Sequence, residues 1–256
     1  MCLINFHFHD HPNYKLIIAA NRDEAYKRPT ANATFWEDEP NILAGRDLLQ
    51  MGTWLGVTKG GRFAALTNYR DPNLPETGKT SRGEIVRSFL TGNTPPKHFL
   101  KELARNRKDY AGFNILLGNA DELYHYNNIL DTITEITPGT HGLSNHTLNT
   151  PWPKVVKGRN MLHTYVKEHP KIEPEKLFTI TSNAEQAPDE ALPDTGVGID
   201  LERLLSPLFI TSEEYGTRSS TVVLIDKHNR VTFVERNYHN GEFKQENAFE
   251  FMLDTV

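Results

Sequence analysis

The chain has a single cysteine, at residue 2, directly behind the initiator methionine. Aminopeptidases remove a methionine that precedes a residue as small as cysteine, which would leave Cys2 with a free α-amine. A thiol of ordinary pKa about 8.5 would then share a residue with an amine of about 7.7–8.0. Such an amine can take the proton of its own side chain, the arrangement of N-terminal-nucleophile catalysis. The plainer reading of Cys2 is a small buried apolar residue at a strand start.

Four polar residues, Asn21-Arg22-Asp23-Glu24, follow an apolar run that pairs back towards Cys2. A carboxylate there can hold an α-ammonium, and a guanidinium can lower a thiol pKa. Side chains alternate along a strand, so Asn21 and Asp23 are expected on one face, with Arg22 the less secure member of the cluster. Two asparagines, Asn68 and Asn145, are expected at strand ends, where an amide N–H can stabilise an oxyanion; the alternative for each is an Asx-turn. Arg218 precedes a strongly apolar run and can bring a cation to a site. His7, His9 and His11 alternate as on one strand face, yet no further acidic or histidine set accompanies them, so no metal site is expected. Glycine-rich phosphate loops and a G-x-S-x-G elbow are absent from the sequence.

The elements that must position these residues are readable from periodicity and turn signals. Residues 3–8 alternate apolar and polar, 9–13 form a turn, and 15–20 return as a second strand. The first seventy residues read as strands, with a further hairpin of 53–58 and 62–67 around Lys59-Gly60-Gly61. Ser81 and Glu84 form a capping box before an apolar run closed by Gly92, and Pro96 opens a second helix to about residue 108. Strands are expected at 113–118 and 122–127, helices at 153–168 and 174–181, and strands at 219–226, 230–238 and near 243–251. The stretch 184–198, rich in Pro, Asp and Gly, reads as a mobile loop. Blocks of hairpins and helices, without one helix per strand, predict an α+β fold and argue against a doubly wound parallel sheet. No composition shift divides residues 1–256, so one domain is expected.

Composition narrows the function classes. The 256 residues are 38% hydrophobic, carry a net charge of −5 with both signs mixed, and contain one cysteine. An acidic balance argues against nucleic acid as a partner, and a lone cysteine excludes an internal disulfide, a zinc knuckle or an iron–sulfur site. No apolar run reaches the roughly 18 residues of a membrane span. The N-terminus lacks the regions of a secretory signal. A cytoplasmic, reducing location is expected.

Seven ordered segments resemble one family. Met1-Cys2, Asn21-Arg22-Asp23-Glu24 with Arg28-Pro29, Gly52-Thr53-Trp54-Leu55-Gly56, and Asn68-Tyr69-Arg70 come first. Ser81-Arg82-Gly83, Gly142-Leu143-Ser144-Asn145 with Pro151-Trp152-Pro153-Lys154, and Thr217-Arg218-Ser219-Ser220-Thr221 complete the pattern. The chain is similar over nearly its whole length to the NRDE, or transport and Golgi organisation, family, and more distantly to bile-salt hydrolases and penicillin V acylases. The resemblance implies an N-terminal-nucleophile-like four-layer αββα sandwich of two antiparallel sheets between helices. It implies Cys2 as nucleophile, Asp23 as the acid beside the α-amine, Asn68 and Asn145 as oxyanion and amine-positioning residues, and Arg218 as a late catalytic arginine. Asn21, Arg22 and Tyr69 are the expected substrate contacts. In those hydrolases an arginine lies three residues before the aspartate, whereas here Arg22 and Asp23 are adjacent.

Two functions follow from the resemblance. One is an amidohydrolase for a small non-peptide amide or acyl substrate, needing no cofactor. The other is a non-catalytic protein that binds or carries haem, a lipid or an acyl-CoA, with Cys2 as a thiolate ligand. Either takes a small molecule as partner, with no nucleic acid and no membrane span, and neither assigns an oligomeric state.

Overall fold

Strand β1 (Cys2–Phe8) pairs antiparallel with β2 (Tyr14–Ala25), and this hairpin lies near the centre of a six-stranded sheet. The computed structural model describes residues 2–74 and 80–254; of the Met1-Cys2 start, Met1 lies outside them. On one side β1 pairs with β10 (Gly139–Leu143). On the other, β2 pairs with β11 (Tyr215–Asp226), followed by β12 (Arg230–His239) and β13 (Glu242–Met252). The second sheet runs in chain order through β3 (Thr30–Phe35), β4 (Ile42–Asp47), β5 (Leu55–Thr58), β6 (Phe63–Asn68), β7 (Phe113–Gly118), β8 (Leu123–Asn127) and β9 (Thr132–Glu135). Every pairing between these strands is antiparallel.

Three apolar clusters define four layers. Phe6, Ile18, Leu43, Phe63 and Phe233 pack between the sheets. Ile115 and Tyr126 of the second sheet meet Phe89 of α1 (Gly83–Thr91) and Leu100 of α2 (Pro96–Arg105). Ile17 and Val222 of the first sheet meet Leu162 of α3 (Pro153–Glu168) and Phe178 of α4 (Pro174–Thr181). The order is helix, sheet, sheet, helix, as the resemblance implies. A strand covered on both faces has no wet side, so Leu16-Ile17-Ile18-Ala19-Ala20 is a continuous apolar run.

Several expectations are corrected. The polar positions of β1 do not face water: Asn5 and His7 are buried, with Asn5 beneath α3. Strand β2 continues through Asn21-Arg22-Asp23-Glu24, placing that cluster inside the strand and not after it. Ser81 does not cap α1; Arg82 is its N-cap residue without a side-chain bond, and Glu84 instead accepts from Arg87 and Ser88. The second helix ends at Arg105 and passes into a 3₁₀ turn, Arg107–Asp109. Strands β9 and β10 and helix α5 (Ile199–Leu204) were without local signal: β9 is nearly all exposed, and β10 is held by its pairing with β1. The segment 184–198 carries one 3₁₀ turn, Asp189–Ala191. Among the described residues no helix is long and apolar enough to cross a membrane.

Candidate active site

Register fixes the neighbours of Cys2. It lies directly opposite Arg22, Arg22 opposite Ser219, Ser219 opposite Asn237, and Asn237 opposite Gln245. Directly opposed residues share a sheet face, so one polar row crosses five strands from Cys2 to β13. All five residues line a single cleft of about 500 Å³ between the sheets. The far wall is built from β3, β4 and the start of α1. There the Gly52 and Gly83 segments touch: a Cβ on Gly52 would lie 2.6 Å from the Gly83 carbonyl carbon. That close approach unites the G-T-W-L-G and S-R-G motifs at the cleft rim.

Arg22, the least secure expectation, is thus the residue facing Cys2. Its Nη1 donates to Thr30 Oγ1 at 3.2 Å, and its Nη2 lies 3.8 Å from Glu24 Oε2. Asn21 shares its face with Asp23, as alternation requires, and does not line the cleft. Its Nδ2 donates to the carbonyls of Thr181 and Leu208, both at 2.8 Å, and its Oδ1 accepts from Ser220. Asp23 is buried and lines the cleft, with Oδ1 accepting from Thr217 Oγ1 at 2.7 Å. Asp23 is thus next along β2 to the residue paired with Cys2.

Asn68, at the end of β6, lines the cleft. Asn145 lies behind it: its Nδ2 donates to the Asn68 carbonyl at 3.0 Å. Ser144 Oγ lies 3.0 Å from both the Cys2 carbonyl and Asn145 Oδ1, with one proton to share between them. Arg218 sits at a bulge between Thr217 and Ser219, and such a bulge re-aims a side chain. Its Nη1 donates to the carbonyls of Ala25 and Arg28 at 2.9 and 3.0 Å, and it lines the cleft. Tyr69 does not line it; its ring lies against His146 with centroids 5.2 Å apart. The three alternating histidines serve separate contacts, on Thr140, Ala120 and His169.

Charge behind the site is concentrated in residues that the sequence did not single out. Lys154, in the first turn of α3, is buried, and its Nζ makes no hydrogen bond among the described residues. Burial pulls its pKa down to about 8, while Asp23 acts most strongly against that fall. Burial likewise pushes the Asp23 carboxyl up from the usual range, with Lys154 foremost among the opposing charges. The Cys2 thiol is pushed up by burial, and Arg22 and an N–H bond from Asp23 oppose it. Arg70 and Glu202 form a buried ion pair at 2.7 Å. Glu235 lines the cleft, accepts the Ala33 N–H at 2.7 Å, and is held up at about 7 by burial. Lys154 had one readable signal: a cation at the positive end of a helix is unfavourable without a partner carboxylate.

The match of sequence to known proteins now decides the family. Residues 1–240 fit the family model described as Transport and Golgi organisation 2. The chain belongs to that family. It is 36% identical to the human Transport and Golgi organization protein 2 homolog and 34% identical to the mouse one, each comparison covering 100% of both chains. A Drosophila melanogaster Transport and Golgi organization protein 2 is 30% identical, over 92% of this chain and 91% of that one. In fold, this member of the Transport and Golgi organisation 2 family is similar to a conjugated bile acid hydrolase from Clostridium perfringens. For a crystal structure of a mutant of that hydrolase the TM-score is 0.55, with 9% identity over 98% of this chain and 92% of the other. A structure of a second variant gives 0.54 and 8%. The chain thus shares the fold of that hydrolase.

Proposed function

We propose that the chain is an N-terminal-cysteine amidohydrolase acting on a small non-peptide amide or acyl substrate. The observation that carries the reading is the placement of Cys2: it lines a polar cleft directly opposite Arg22, whose strand neighbour is buried Asp23. Removal of Met1 would leave an α-amine there, and Asp23 is the carboxylate that would hold it. The fold, shared with a named hydrolase, agrees with this class of reaction. A reducing, cytoplasmic location is part of the same proposal, because the nucleophile is a thiol.

The α-amine takes the Cys2 proton and the thiolate attacks the substrate carbonyl carbon, forming a C–S bond and an oxyanion. Asn68 donates to that oxyanion from the cleft wall, and Asn145 fixes Asn68 through its carbonyl. As the tetrahedral species collapses the C–N bond breaks, and the α-ammonium gives its proton to the departing amine. Water, deprotonated by the same amine, attacks the thioester; the carboxylic acid leaves and the Cys2 thiol is restored. The carrier alternative fits these residues less well. An apolar macrocycle or acyl chain finds chiefly Trp54, Leu66 and two alanines among charged and polar neighbours.

The test is amine release from a panel of N-acyl amides by the full chain and by Cys2→Ala. Release by the natural chain, with a fall of at least about a thousandfold in Cys2→Ala, is expected. Equal release by both chains would overturn the reading.

A further inference from the structure

The cleft is more cationic than the molecule that carries it. The chain has a net charge of −5, yet six arginine or lysine side chains line the cleft against four carboxylates, with Arg46 and Lys244 paired from outside it by Asp38 and Glu242. Those four do not neutralise the cations beside Cys2. Asp47 is taken by Arg28 at 2.5 Å, Asp23 faces Lys154, and Glu235 is held by burial near neutrality. Glu24 approaches Arg22 and Arg28 only at 3.8 and 3.9 Å.

Arg218 is the clearest case. It makes no ion pair among the described residues. Only its Nη1 donates there, to two backbone carbonyls that fix the guanidinium but carry no full charge. Arg22 lies close enough to disfavour Arg218's charge, after burial itself, and Glu24, which among the described residues makes no hydrogen bond to either guanidinium, opposes this only in part. Two guanidiniums that repel each other are thus held in a cleft wall one strand apart, with a bulge aiming one of them. Such a pair is relieved by an anion seated between them, and the arginine fork suits a carboxylate-like group.

We propose that the substrate carries an oxyanionic group, such as a carboxylate, which Arg22 and Arg218 hold close to the carbonyl presented to Cys2. This rests on the reading of Cys2 as the nucleophile. The polar row continues through Ser219, Asn237 and Gln245, with Lys244 exposed at its outer end, so the rest of the substrate lies along a polar track.

The experiment compares alkylation of Cys2 by iodoacetate and by iodoacetamide in the full chain, with N-acetylcysteine as the free thiol. Both reagents are attacked by the thiolate with loss of iodide, and only iodoacetate is an anion. The iodoacetate-to-iodoacetamide rate ratio at Cys2 is expected to exceed that of the free thiol by roughly tenfold at low salt. It should fall as salt is raised, fall in Arg218→Gln, and fall in Lys244→Glu, whose site is exposed. A ratio at or below that of the free thiol, with Cys2 still labelled by iodoacetamide, overturns the anionic substrate and leaves the nucleophile standing. No labelling of Cys2 by either reagent overturns both.

Discussion

Buried and without a hydrogen bond among the described residues, Lys154 is the cation that faces Asp23 from the helix layer. Its pKa of about 8, lowered by burial, means that the ammonium is present below that pH and lost above it. Below pH 8 Lys154→Met therefore removes a positive charge acting on Asp23 and Cys2. At pH 7, where the ammonium is present, the rate of Cys2 alkylation should fall by up to roughly tenfold in a variant whose circular dichroism is unchanged. An unchanged rate would reduce Lys154 to packing. Cys2, Asp23, Asn68 and Arg218, which all line the cleft, stood out in the sequence because their types are chemically conspicuous beside apolar runs. Lys154 did not, since a lysine after a helix-opening proline ordinarily lies in water. Arg22 was underrated because its face depends on where β2 ends, and the strand runs on to Ala25.

Helix α3 sits so close to β1 that a Cβ on Gly158 would meet the Asn5 amide at 2.6 Å. Gly158→Ala should therefore push α3 from the strand that begins at Cys2, or shift Asn5, and cost about 1–3 kcal/mol. Urea denaturation measures this; an unchanged midpoint would show that the helix yields freely. The bounds of α3 and α4 were legible because Pro153 and Pro174 open them, where a missing N–H costs nothing. The position of β10 was not, because its register with β1 joins Leu143 to Ile4 across the whole intervening chain. The Ser81–Glu84 capping signal misled because Gly83 is drawn against Gly52 at the cleft rim, setting the start of α1 by tertiary contact.

At the scale of the molecule, the two sheets are joined beyond the cleft by polar bridges from β3 to β12 and β13. Glu235 accepts the Ala33 N–H at 2.7 Å, and Asn247 donates to the Ala33 carbonyl at 2.9 Å. Burial raises Glu235 from an ordinary 4.5 to about 7, so the folded state binds the proton more tightly than the unfolded chain. The stability tied to that proton is complete below pH 4.5 and is lost as pH rises to 7. Glu235→Gln should remove a decline of up to roughly 3 kcal/mol across that window, read from thermal denaturation at several pH values. A decline of the same size in both chains would place its cause elsewhere. The α+β class was readable from blocks of hairpins and helices and the layer order from the family resemblance, whereas the sandwich's cleft was not, because it is made by residues from both sheets.

Intact mass is the most direct measurement of whether Cys2 carries the free amine on which the proposed chemistry turns. The protein expressed from its full coding sequence is predicted to be lighter than that sequence by one methionine residue, with Cys2 as its first residue. A mass that retains Met1 would contradict an N-terminal nucleophile at Cys2.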